Sequence, residues 1–153
     1  MPKVLKTTYL PVRTVVVDDD IAIVKLVTRI LEKKFEGIVT VNGYTDVSTV
    51  LGLAEANQID LCITDLDMPR INGLKVLKQL KKANPLTQVI ILTAHPLENA
   101  IRSAFALGAD DYLLKPLDVE LLCEVVTFVT SRFRRYHEEI VMSESNNAYR
   151  MPC

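Results

Sequence analysis

The chain reads as an α/β protein, a five-stranded parallel sheet doubly wound by helices, with an extended C-terminal helix. Three observations point there. Apolar runs of strand length alternate with segments whose apolar residues recur every three or four positions. The 153 residues suffice for one well-buried domain and not for two ordinary ones. Carboxylates close two of the apolar runs, Asp18-Asp19-Asp20 the first and Asp65 another, as expected where a binding site lies at the carboxyl ends of parallel strands.

The strands are expected at Thr14–Val17, Ile38–Val41, Leu61–Thr64, Val89–Leu92 and Asp111–Leu114. After the first, Ile23, Val27, Ile30 and Leu31 share one helical face, and Gly37 is a plausible stop. Asp20 can cap that helix. Val47, Val50, Leu51 and Ala54 repeat the pattern with Thr45 as N-cap. Leu74, Leu77 and Leu80 do so again until Pro85 forbids continuation. A weaker helix spans roughly 97–107 and ends at Gly108, where a left-handed residue costs little. The last helix starts near Asp118, a good cap, with Glu120 in its first turn. Leu122, Val126, Val129, Phe133, Tyr136 and Ile140 then recur at spacings of four and three. Either this is a heptad seam, or it is an ordinary amphipathic helix that frays after Arg135. Residues 1–13 are expected to be a disordered leader, 14–133 the domain, and 134–153 a helical extension with a disordered tail from Ser143.

Composition excludes several classes. A formal net charge of −1 gives no bulk attraction to nucleic acid. No apolar run reaches membrane-spanning length and Met1–Lys6 lacks a signal-peptide core, so a cytoplasmic protein with no membrane contact is expected. Cys62, Cys123 and Cys153 show no ligand spacing, which argues against zinc and disulfides.

At the strand ends stand Asp18 and Asp19, then Asp65, Thr93, and Lys115 followed by Pro116. In a parallel sheet those ends converge. Crowded carboxylates repel unless a cation sits among them, and a hard divalent ion suits them best. Three acids, a hydroxyl and an ammonium match a phosphoryl-transfer site with a carboxylate nucleophile.

The segments VVVDDD, ITDLDMPRINGL, ILTAHP and GADDYLLKPL, in that order, resemble a response-regulator receiver domain, the phospho-acceptor half of a two-component system. The resemblance runs from about Thr14 to Phe133 and implies a flavodoxin-like fold with strand order 2-1-3-4-5. It implies that Asp65 is phosphorylated by a sensor histidine kinase or phosphotransfer protein. It implies Mg²⁺ on Asp19 and Asp65, on Asp18 mostly through a water, and on the Asp67 backbone carbonyl. Lys115, aimed inward by a cis bond to Pro116, would meet the phosphoryl oxygens. Thr93 would swing toward the phosphorylated aspartate, with Tyr112 moving inward behind it, so that output passes through the fourth helix, fifth strand and fifth helix. Kinase recognition would lie around Ile21–Lys25 and Pro116–Leu117. Asp67 and His95 flank the site and could tune the lifetime of the acyl phosphate. No direct nucleic-acid contact is expected, and the heptad seam allows a homodimer through the last helix.

Two other readings stay open on sequence. The pair Asp65 and Asp67 also fits the DxD opening of haloacid-dehalogenase-type phosphatases, although the accessory acids precede the nucleophile here and no cap domain is evident. A phosphorylation-independent interaction module is the third.

Overall fold

The computed structural model describes residues 10–148. The elements alternate: β1 (Val12–Val17), α1 (Ile21–Lys34), β2 (Val39–Tyr44), α2 (Val47–Glu55), β3 (Leu61–Thr64), α3 (Gly73–Ala83), β4 (Gln88–Thr93), α4 (Glu98–Ala106), β5 (Asp111–Leu114) and α5 (Val119–Ala148). The sheet is parallel throughout, in the order β2-β1-β3-β4-β5. This is the doubly wound arrangement expected from the alternating pattern.

Side chains alternate across each strand, so the apolar runs feed two cores. Val12 and Val16, Leu61 and Ile63, Ile90 and Leu92, and Leu113 face α1 and α5, meeting Val27, Leu31, Leu122, Val126 and Val129. Val15 and Val17, Cys62, and Val89 and Ile91 face the other helices, meeting Val50, Leu77, Leu80 and Ala104. Burial pushes the Cys62 thiol up to about 12, the behaviour of an inert core residue.

Helix boundaries follow local chemistry. Asp20 accepts from Ala22 N and Asn72 from Leu74 N, while Asp118 accepts from Leu121 N at 3.0 Å. Gly108, at φ +98°, follows α4 where a left-handed residue was expected.

Four expectations need correction. β2 runs through Tyr44, past Val41, because an edge strand tolerates Asn42 and Gly43 where a central one would not. The cap of α2 is Asp46, not Thr45. Its carboxylate accepts from Ser48 N at 3.1 Å and Ser48 Oγ at 2.6 Å. Val12 and Arg13 belong to β1 rather than to a leader, since Arg13 is fixed by Asp60, Nη2 to Oδ1 at 2.7 Å. α5 continues to Ala148, beyond both Arg135 and Ser143. The expectations for residues 1–9 and 149–153, Cys153 included, lie outside the described residues.

One buried ionic hub ties three elements together. Asp110, just before β5, accepts from Lys81 Nζ of α3 at 3.1 Å, Arg132 Nη2 of α5 at 2.8 Å and Val89 N of β4 at 2.8 Å. Removing the acid would strand two cations in partial burial. Asp110→Ala is expected to lower unfolding free energy by about 3 kcal/mol. Arg102→Ala, which breaks an exposed pair with Glu98, should cost no more than about 0.5 kcal/mol. Urea titration of both variants checks the contrast.

Candidate phosphoryl-acceptor site

The backbone ladders carry past the strand ends and set the site residues in register. Asp18 N donates to Tyr44 O at 3.2 Å, Asp65 N to Val17 O at 3.2 Å, and Lys115 N to Thr93 O at 2.8 Å. Each residue that follows a strand is therefore held against the last residue of its neighbour. The loop after Asp65 is pinned in turn, with Gly73 N donating to Leu66 O at 3.0 Å and Asp67 bridging to Asn72.

The result is a compact acidic cluster. Asp18, Asp19 and Asp65 each place a carboxylate oxygen within 4.8 Å of the other two. Asp18 is 2% exposed and Asp65 5%, while Asp19 faces solvent. Lys115 Nζ reaches between the buried pair, 2.6 Å from Asp18 Oδ2 and 3.1 Å from Asp65 Oδ2. The Lys115–Pro116 bond is cis, as expected. The other oxygens accept backbone donors, Asp18 Oδ1 from Asp20 N at 2.9 Å and Asp65 Oδ1 from Asp67 N at 3.1 Å.

Charge is unevenly shared in this cluster. Burial raises the Asp18 pKa, Lys115 opposes that rise, and the negative Asp65 adds to it. Burial alone would lower Lys115, but its bonds to Asp18 and Asp65 outweigh that and raise it. One ammonium thus serves two buried acids and leaves Asp18 costly to ionise. A group whose folded pKa is raised stabilises the fold below its unfolded pKa and loses that contribution as pH rises through the folded value. Metal-free stability is therefore expected to decline as pH climbs from about 4 through the raised Asp18 value. Asp18→Asn should remove that part of the slope, raise the metal-free melting temperature by a few degrees at neutral pH, and abolish most of the stabilisation that Mg²⁺ confers. Calorimetry across pH with and without the ion measures all three.

Around the cluster, Thr93 is fully buried at the end of β4. Its hydroxyl donates to Asp67 Oδ2 at 3.3 Å, and His95 Nδ1 lies 2.9 Å from the same oxygen. Tyr112 is half-buried on the Thr93 side of the sheet. Burial, then the nearby Asp67 charge, pushes its hydroxyl upward in pKa. A cleft of about 520 Å³ opens beside Asp19, lined by Thr45–Ser48 and Met68–Ile71. The structure thus brings together Asp18, Asp19, Asp65 and Lys115, with Asp67, Thr93, Tyr112 and His95 as a second group on one side. The hydrogen bonds joining Asp67, Thr93 and His95 were not visible in sequence, because no spacing records which rotamer a threonine adopts.

The donor set suits a hard cation, since every candidate ligand is an oxygen and two carboxylates are buried. No helix among the described residues is long and apolar enough to cross a membrane.

The response regulator receiver domain family matches residues 14–127. Over 125 residues the chain is 36% identical to the DNA-binding transcriptional regulator NtrC of Salmonella typhimurium, covering 81% of this chain and 25% of that protein. Over 124 residues it is 36% identical to the regulatory protein VanRc of Enterococcus gallinarum, covering 81% and 51%. A response regulator receiver domain protein from Clostridium thermocellum aligns with a TM-score of 0.72 at 31% identity, covering 82% of this chain and 98% of that one. The chain therefore spans about a quarter of the length of the NtrC regulator it matches. Neither the phosphatase reading nor the inert-module reading gains support from these matches. Through its fold, its acid cluster and this match, the chain belongs to the response regulator receiver domain family.

Proposed function

We propose that Asp65 is the phosphoacceptor of a cytoplasmic switch driven by a sensor histidine kinase or a phosphotransfer protein. One Asp65 oxygen attacks the phosphorus of a phosphohistidine, an O–P bond forms, the P–N bond breaks, and the imidazole leaves with a proton. The product is 4-aspartylphosphate. The observation that carries this reading is Lys115 Nζ lying 3.1 Å from Asp65 Oδ2 inside the acidic cluster. Lys115 is placed to meet phosphoryl oxygens where charge builds up. The Asp67 N–H fixes one Asp65 oxygen, which orients the nucleophile. Carboxylates of Asp18, Asp19 and Asp65 and the backbone carbonyl of Asp67 would hold Mg²⁺, which when bound neutralises charge on the transferring group. Thr93 and Tyr112 report the new phosphoryl group to the surface of α4, β5 and α5.

Incubation with a small acyl phosphate and Mg²⁺ tests this. A one-to-one, base-labile adduct that Asp65→Asn cannot form is expected. Steady phosphate release, or an adduct that survives in Asp65→Asn, would overturn it.

The second half of α5 pairs with another copy in this reading. Leu122, Val126 and Val129 are spent on the domain's own core, with Phe133 packed against it. Tyr136 and Ile140 continue the spacing at 40% exposure each. Sedimentation velocity should show a concentration-dependent dimer that Ile140→Glu disrupts, and a monomer at every concentration would count against it.

A further inference from the structure

Three groups beside the acid cluster close a small ring. The Thr93 hydroxyl donates to Asp67 Oδ2 at 3.3 Å. His95 Nδ1 stands 2.9 Å from that oxygen. An ionised carboxylate can only accept, so the contact calls for the hydrogen on Nδ1. The His95 backbone N–H in turn donates to Thr93 Oγ1 at 3.4 Å. The Tyr112 hydroxyl is buried with no hydrogen-bond partner among the described residues, so it is not tied into the ring.

These contacts give the Thr93 hydroxyl a job while Asp65 is unmodified. The Thr93 side chain is fully buried, so its hydroxyl must find an acceptor within the protein. The one it takes belongs to Asp67. We propose that Asp67, oriented by His95, holds the Thr93 hydroxyl on its own carboxylate in the unphosphorylated protein, and that this catch sets how readily the switch is thrown. The inference rests on the assignment of Asp65 as the phosphoacceptor. A phosphoryl group on Asp65 offers several strong acceptor oxygens. Thr93 then exchanges one anionic acceptor for another, and only the difference between them shifts the equilibrium. A contact of 3.3 Å is long for O–H···O, where about 2.7–2.8 Å is usual. It is a weak hold, which suits a device that must let go.

Both side chains of the His95–Asp67 pair are largely exposed, at 72% and 56%. Such a pair adds little to stability by itself. Its role is directional, to keep Oδ2 facing Thr93. That separates the catch from a simple charge effect. If Asp67 acted only as a negative charge repelling the phosphoryl group, loss of the His95 ring would leave the Thr93 rotamer where it was.

The test uses the whole chain with beryllofluoride and Mg²⁺ as the phosphoryl mimic, alongside NMR three-bond couplings to the Thr93 methyl in the unliganded protein. The parent should show one dominant Thr93 rotamer. Asp67→Ala and His95→Ala should show rotamer averaging and bind beryllofluoride about five-fold more tightly, the scale of one modest hydrogen bond. His95→Asn, which keeps a donor in reach, should restore the parental rotamer. In a Thr93→Val background, His95→Ala should no longer change beryllofluoride affinity. An unchanged Thr93 rotamer in both Asp67→Ala and His95→Ala overturns the catch, even if affinities move. Failure of the parent itself to bind beryllofluoride overturns the phosphoacceptor assignment, a different result that the rotamer measurement does not mimic.

Discussion

Lys115→Met is expected to melt roughly 10 °C below the parent in metal-free buffer, and to accept phosphoryl groups at least about a hundredfold more slowly. Among the described residues, Lys115 is the only ammonium touching either buried acid, Asp18 at 2.6 Å and Asp65 at 3.1 Å. Deleting it leaves two carboxylates in one small space without a counter-charge. Breaking a buried ion pair on one side costs about 3–5 kcal/mol. The loss should fall at the lower end, because Asp18 already sits above its ordinary pKa and can take up a proton. Added Mg²⁺ should return most of the lost stability, since the ion supplies the charge that the lysine carried. It should return little of the rate, because the far side of the phosphoryl group would remain unscreened. Thermal melts with and without Mg²⁺, together with phosphorylation kinetics, separate the two effects. A variant equally stable and equally fast would show that the lysine contact is incidental.

Gly73→Ala comes next in size, for a steric reason. A Cβ at Gly73 would collide with the Asp65 carbonyl oxygen, and would lie 2.6 Å from Leu66 Cα. Both obstacles are backbone, so no side chain can swing aside. The first turn of α3 would have to move off the loop that presents Asp65 and Asp67. Overpacking of this kind costs about 1–3 kcal/mol. The larger effect should be on chemistry, because a shift of about 1 Å in a positioned nucleophile can cost a hundredfold in rate. Gly52→Ala is the control. A Cβ there meets nothing within 4 Å, and an exposed helix interior gains about 1 kcal/mol from the exchange. Comparable losses in both variants would refute the steric account.

The central strands were readable because they are buried on both faces, so that Val15–Val17 and Val89–Leu92 appear as unbroken apolar runs. The edge strand β2 was under-read for the opposite reason. Asn42 and Gly43 carry no apolar signal, and Gly43 is needed because a Cβ there would press on Val24 of α1. The convergence of Asp18, Asp65 and Lys115 followed from topology alone, since parallel strands end on one side. Partner choice did not follow. Asp110 accepting from Lys81 and Arg132, and Thr93 donating to Asp67 rather than standing free, depend on rotamers and on loops packed by distant elements. The length of α5 was also hidden. Ser143, Ser145, Asn146 and Asn147 are indifferent helix formers, yet the helix runs through them to Ala148.

That helix has a mechanical consequence. Its root is clamped in the core shared with α1 from Leu122 through Val129 to Phe133, with Arg132 held by Asp110, whereas its continuation runs on to Ala148. At 1.5 Å per residue, the stretch from Phe133 to Ala148 is a lever arm of roughly 22 Å. A tilt of about 10° at the clamp would sweep the tip through about 4 Å. Any small reorientation at the root of α5 would therefore be enlarged several-fold at its far end.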